Sequence, residues 1–146
     1  MKKFLLSTAL VLAAGAASAQ NAIFYSTDEA FDDVSFSLES AILDRGLVID
    51  NVSHVGDMLN RTGADVGSET VIYDSADVYS FCSAKTSREV MEAHPMNIVY
   101  CPYGIFVAQL NGSDEVIMGY QKYPEGEMQL VEELLDSIVR TALELD

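Results

Sequence analysis

The stretch Tyr79–Val107, YSFCSAKTSREVMEAHPMNIVYCPYGIFV, holds both cysteines of the chain, and its reading governs the reading of its surroundings. Val78–Cys82 is apolar and aromatic, as a strand requires. Thr86-Ser-Arg-Glu89 has capping-box spacing and opens a short helix to Ala93. His94-Pro95 ends it, because the residue before proline avoids helical geometry. Asn97–Cys101 then reads as a second strand. A strand–helix–strand unit crosses over right-handed and leaves its strands parallel. Both strand ends, and with them Cys82 and Cys101, then fall at one edge of a sheet.

Upstream, Ala22–Tyr25 is a short candidate strand. Ser26-Thr-Asp-Glu29 fits another capping box, and Phe31, Val34, Leu38 and Ile42 recur at helical steps to about Arg45. Gly46 stops that helix. Leu47–Val55 is strand-like, and Gly56–Arg61 is a turn or two of helix with Met58 and Leu59 turned inward. Thr62–Glu69 is loop. Val71–Tyr73 is a short strand, separated from Val78–Cys82 by a turn at Asp74–Asp77.

Downstream, Asn111-Gly112 between the apolar runs Ile105–Leu110 and Glu115–Gln121 is a hairpin signal. The last element is the most regular. Met128, Val131, Leu135, Ile138, Ala142 and Leu145 step by three and four, so this helix must dock on a sheet or a partner. Alternating strand-like and helix-like segments without a linker describe one small α+β domain.

The N-terminus has the layout of a secretory signal. Lys2 and Lys3 precede the apolar run Phe4–Ala14, and Ala17-Ser-Ala19 offers a cut before Gln20. Residues 1–19 are therefore expected to be removed, leaving a single domain over 20–146 in the periplasm or outside the cell. The run is short of the ~20 residues that span a bilayer. The formal charge is −15, and losing Lys2 and Lys3 lowers it to −17. Such a chain does not neutralise phosphates, which excludes nucleic acid, and an anionic membrane surface is disfavoured likewise. This field would attract a cationic protein or a metal ion, but a solvated acidic surface that simply keeps the chain in solution is the plainer reading.

Chemistry centres on Cys82 and Cys101. In an oxidising compartment a disulfide between them is the leading structural expectation, provided that their α-carbons come within about 7 Å. The same sulfurs leave a thiol site open. With Met91, His94 and Met96 beside Cys101, so does a soft-metal site, although ordinary packing accounts for these residues and no metal or cofactor is assigned. No Cys-x-x-Cys, haem-attachment motif or Gly-x-Ser-x-Gly occurs. His54 stands alone before a glycine. Tyr79, Tyr100 and Tyr103 belong to a tyrosine-rich set suited to lining a ligand cleft or a subunit interface.

Tyr79-Ser-Phe-Cys82, the short helix, and His94-Pro95-Met-Asn-Ile-Val-Tyr-Cys101-Pro-Tyr-Gly-Ile-Phe-Val107 together resemble the core of the domain-of-unknown-function 302 (DUF302) family. The Phe31-Asp-Asp-Val34 helix start and the last amphipathic helix are similar to it as well. The resemblance implies an antiparallel sheet with helices on one face, in a TATA-binding-protein-like arrangement, and a homodimer. It carries no catalytic residue with it. Cys101-Pro102 and the leader depart from the usual pattern. Two functions follow as expectations: a non-enzymatic domain that binds a small molecule or a redox partner, and a thiol- or metal-dependent carrier or enzyme built on Cys82 and Cys101.

Overall fold

The computed structural model describes residues 21–145; the leader assigned to 1–19 lies outside them. The chain runs β1 (Ala22–Thr27), α1 (Phe31–Leu43), β2 (Val48–His54), α2 (Val55–Thr62), a 3₁₀ turn at Ala64–Val66, β3 (Tyr73–Cys82) and α3 (Ala84–Ala93). A 3₁₀ segment (Pro95–Tyr100), β4 (Tyr103–Leu110), β5 (Val116–Gln121) and α4 (Gln129–Ala142) complete it. The strands form one antiparallel sheet in the order β1-β5-β4-β3-β2.

Alternation along the strands gives this sheet two unlike faces. Tyr79 and Phe81 of β3, Tyr103, Ile105 and Val107 of β4, and Val116, Met118 and Tyr120 of β5 point one way and are buried. Val34, Leu38, Ala41 and Ile42 of α1, Val90 of α3, and Val131, Leu135, Ile138 and Val139 of α4 meet them in a single core. Each fully buried leucine or isoleucine contributes about 1.5–3 kcal/mol by leaving water. Arg45, just beyond α1, locks the two long helices together: its guanidinium donates to the Ser137 carbonyl (2.9 Å), Ser137 Oγ (2.7 Å) and Thr141 Oγ1 (3.0 Å).

Several local expectations give way to longer-range pairing. The segment expected as strand–turn–strand between Val71 and Cys82 is one strand, because β4 pairs with it from Tyr73↔Leu110 to Phe81↔Tyr103 and absorbs the Asp74 region as a bulge. Asn97–Cys101 is not a strand; Pro95 at the first turn of the 3₁₀ segment pre-sets its geometry. β3 and β4 are therefore antiparallel neighbours, and the parallel crossover does not occur. Neither capping box forms. Ser26 and Thr27 are taken into β1 by pairing with Ile117 and Val116, so α1 starts after Ala30 without a side-chain cap. α3 starts earlier than expected, and Ser83 caps it by accepting from the Thr86 amide at 3.2 Å. Met58 is exposed rather than inward; α2 contacts β3 through its smallest residue, Gly56, against the Ala76 backbone.

The hairpin is as expected. Gly112 takes φ +75°, and Asp74 ties the loop down by accepting from Asn111 Nδ2 (2.7 Å) and the Gly112 amide (3.0 Å). Among the described residues no helix is long and apolar enough to cross a membrane.

Candidate functional site

Cys82 ends β3, and Cys101 precedes β4 by two residues. Because these strands are antiparallel neighbours, the end of one meets the start of the other. The cysteines form a disulfide with α-carbons 6.6 Å apart. The expected bridge is present, then, but hairpin-like pairing brings the sulfurs together rather than a parallel crossover. Both half-cystines are half-buried. The bridge closes a connection that carries α3 and the 3₁₀ segment. With both sulfurs bonded, no thiolate remains for the soft-metal set: Met91 is half-buried, while His94 and Met96 are exposed.

The three singled-out tyrosines separate. Tyr79 and Tyr103 are closed into the core, Tyr103 sharing a 3.0 Å hydrogen bond with Ser87 Oγ. Burial raises the Tyr79 phenol above its usual range. Tyr100 is half-buried and meets Tyr123 edge to face, with ring centres 5.8 Å apart; Tyr103 meets the same ring at 6.3 Å. Tyr123 thus sits between two tyrosines, and its hydroxyl is buried with no hydrogen-bond partner.

His54, at the end of β2, is exposed and shares a 2.8 Å hydrogen bond with Asp77 across the strand pair. That bond raises the imidazole above its ordinary value. Among the described residues no cluster of histidines, cysteines and carboxylates could hold a metal ion.

Two features escaped sequence reasoning. One is a cleft of about 250 Å³ where β1, β5 and α4 meet, lined by Ile23, Tyr25, Tyr120, Gln129, Glu132, Glu133 and Asp136. Tyr25 and Tyr120 both donate to Asp136 Oδ1, at 2.7 and 2.8 Å. Burial and the Asp136 bond push the Tyr120 phenol far up, and the Asp136 bond chiefly raises Tyr25. The signal was period two: Ile23 and Tyr25 of β1 face the same way as Tyr120 of β5, beneath the Glu132–Asp136 step of α4.

The other is the second face of the sheet. Register places Phe24, Ser26, Val48, Asn51, Ser53, Val78, Ser80, Cys82, Gly104, Phe106, Ile117, Gly119 and Gln121 on it, and none of these is charged. Phe24 is 43% and Val48 69% exposed. Val78, Ser80, Pro102, Gly104, Phe106 and Gln121 line a groove of about 310 Å³ on this face, with Cys101 adjacent to Pro102 in the chain and Cys82 two residues beyond Ser80.

No protein-family model matches the chain, and no curated protein does. Its fold is similar to the crystal structure of an uncharacterised conserved DUF302 protein from Bacillus stearothermophilus, at 14% identity and a TM-score of 0.58, over 86% of this chain and 90% of that one. The likeness is one of architecture and agrees with the α+β antiparallel arrangement described above.

Proposed function

We propose that this is an exported, non-enzymatic binding domain of the periplasm that receives a small ligand or a redox partner protein on the second face of its sheet. One observation carries the reading: on a chain of charge −15, the second sheet face has no charged residue in register and exposes Phe24 and Val48 on its outer strands. Antiparallel sheets with one solvated face normally make it polar, and contiguous exposed apolar surface marks a place of contact. The bridged sulfurs staple the end of that face.

The homodimer belongs to the same proposal and is assigned to β1. Among the described residues both outer strands, β1 and β2, have no strand beyond them. β2 carries a bulge between Ile49 and Asn51, with Asp50 at it, which blunts edge pairing. β1 is regular and uncharged, so it is the edge that a second copy extends.

Native mass spectrometry of protein drawn from the periplasm tests the reading. A retained small molecule or captured thiol oxidoreductase, lost on Phe106→Lys, is the expected result. A bare monomer with no adduct would sink it. A metal or persulfide held on Cys82 and Cys101 would instead establish the thiol- or metal-dependent carrier.

A further inference from the structure

The connection from β3 to β4 is held to the molecule mainly at its base. Within residues 83–100, Val90 is the one fully buried apolar side chain, with Met91 and Tyr100 half-buried beside it. Met96, Ile98 and Val99 of the 3₁₀ segment are exposed. The hydrogen bonds of the connection are mostly its own. Ser83 caps α3, Arg88 pairs with Glu92, and Asn97 Nδ2 donates to the Val90 carbonyl at 2.8 Å, which joins the 3₁₀ segment to the helix. Among the described residues one side-chain bond reaches the rest of the molecule, the 3.0 Å contact of Ser87 Oγ with the Tyr103 hydroxyl.

α3 and the 3₁₀ segment therefore make a self-contained flap. It meets Tyr103 through Ser87 and Tyr123 through Tyr100, and both of those inner rings are buried. A segment with few buried contacts opens before the fold as a whole does. The Cys82–Cys101 bridge stands at both ends of this one, next to the Ser83 cap and next to Tyr100. Without the bridge, the nearest ladder pair that closes the flap is Phe81↔Tyr103, and Ser83 and Tyr100 lose their fixed separation. Both half-cystines are half-buried, so part of each remains open to solvent.

We propose that the bridge is a redox latch. Oxidised, it holds the flap down on Tyr103 and Tyr123; reduced, the flap opens as a unit while the sheet, α1 and α4 stay folded. The reductant is a dithiol, such as a protein with two neighbouring cysteines. One of its thiolates attacks a bridge sulfur, the Cys82–Cys101 bond breaks, a mixed disulfide forms, and the departing cysteine thiolate takes a proton. The second thiol of the reductant then gives up its proton and displaces the other cysteine, which leaves as a thiolate and is protonated. Two electrons pass: the bridge becomes two thiols and the dithiol becomes a disulfide. The latch goes beyond the binding reading above and does not depend on what the second sheet face receives.

Dithiothreitol is the probe, applied to the full mature chain without denaturant. The intact mass is expected to rise by two hydrogens while the circular dichroism of the fold is kept. Hydrogen exchange is then read amide by amide by NMR. The exchange rate of the flap amides, Val90, Met91, His94 and Asn97 among them, relative to those of β4 and α4 is expected to rise at least about tenfold on reduction, as local opening requires. Loss of a crosslink that acted only on the unfolded chain would speed the β4 and α4 amides and leave that ratio unchanged or lower. Cys82→Ser/Cys101→Ser should show the reduced pattern with no reagent present. Ser87→Ala, which cuts the bond to Tyr103 and keeps the bridge, is expected to leave the flap closed in the oxidised protein. A bridge that dithiothreitol cannot reach in the folded protein, a ratio that does not rise, or unfolding of the whole chain on reduction overturns the inference. A flap that already opens in oxidised Ser87→Ala would make the hydrogen bond the latch and overturn it as well.

Discussion

Removing the Cys82–Cys101 bridge is the perturbation whose magnitude the structure fixes best. The bridge spans 19 residues of sequence. On the chain-entropy model, closing a loop of that size restricts the unfolded chain by an amount equivalent to about 3 kcal/mol at 25 °C. For a domain of this length, unfolding entropy converts 1 kcal/mol into roughly 4 °C, so the melting temperature should fall by about 12 °C. The suitable variant is Cys82→Ser/Cys101→Ser, which leaves no lone thiol. Urea unfolding followed by circular dichroism gives the free energy and its slope. Because the effect lies in the unfolded state, the slope should rise as that state expands. Reduced wild-type protein should behave as the variant does. A double variant within about 1 kcal/mol of the oxidised protein, on the scale where a single mutation is ordinary, would refute the assignment of the bridge as the staple of the β3–β4 connection.

Three further outcomes follow from contacts on the page. Gly119→Ala should destabilise by more than about 3 kcal/mol, because its Cβ would run into the Ile23 carbonyl and stand 2.6 Å from Phe24 Cβ on the neighbouring strand; equilibrium unfolding that is unchanged would contradict the β1–β5 register. Tyr120→Phe should cost about 1–2 kcal/mol, since it removes one of the two phenols donating to Asp136, and thermal melts beside Tyr25→Phe would apportion the pair. Asp77 holds the folded-state pKa of His54 above 6.5. The imidazolium bond therefore stabilises fully below pH 6.5 and fades as pH rises through the higher folded value. The stability gap between wild type and His54→Gln should be larger at about pH 6 than at about pH 8; a gap that widened with pH would reverse the sign.

Elements with strong internal periodicity were legible in the sequence. α4 declares itself through Val131, Leu135, Ile138 and Ala142, and α1 through Val34, Leu38 and Ile42, and the same residues enter the core. The β4–β5 hairpin was legible because Asn111-Gly112 specifies its own turn. The failures share a cause. Ser26-x-x-Glu29 and Thr86-x-x-Glu89 are local signals, and each lost to interactions whose partners lie elsewhere: β5 claims Ser26, and the buried Ser83 takes the cap of α3. Asn97–Cys101 is rich in β-formers, but no strand is there to pair with it once β4 has paired with β3.

The site was less legible than the fold because its parts come from residues that ordinary packing also explains. Cys82 and Cys101 could be paired from compartment and chain order, and a hairpin-like approach and a crossover both deliver the sulfurs to one end of the sheet. The tyrosines could not be sorted that way. Tyr79 and Tyr103 look equivalent to Tyr120 and Tyr123 in the sequence; only register and packing show that the Tyr120 hydroxyl donates to Asp136 while Tyr123 meets a carboxylate, Glu132, through its backbone amide. An uncharged sheet face is similarly invisible in a chain this acidic, since it is assembled from alternate residues of five separated strands. The charge of the whole molecule therefore bears on function through its distribution. Acidic side chains crowd the helices, loops and bulges, and among the described residues the second face of the sheet, which ends at the disulfide, is left clear of them.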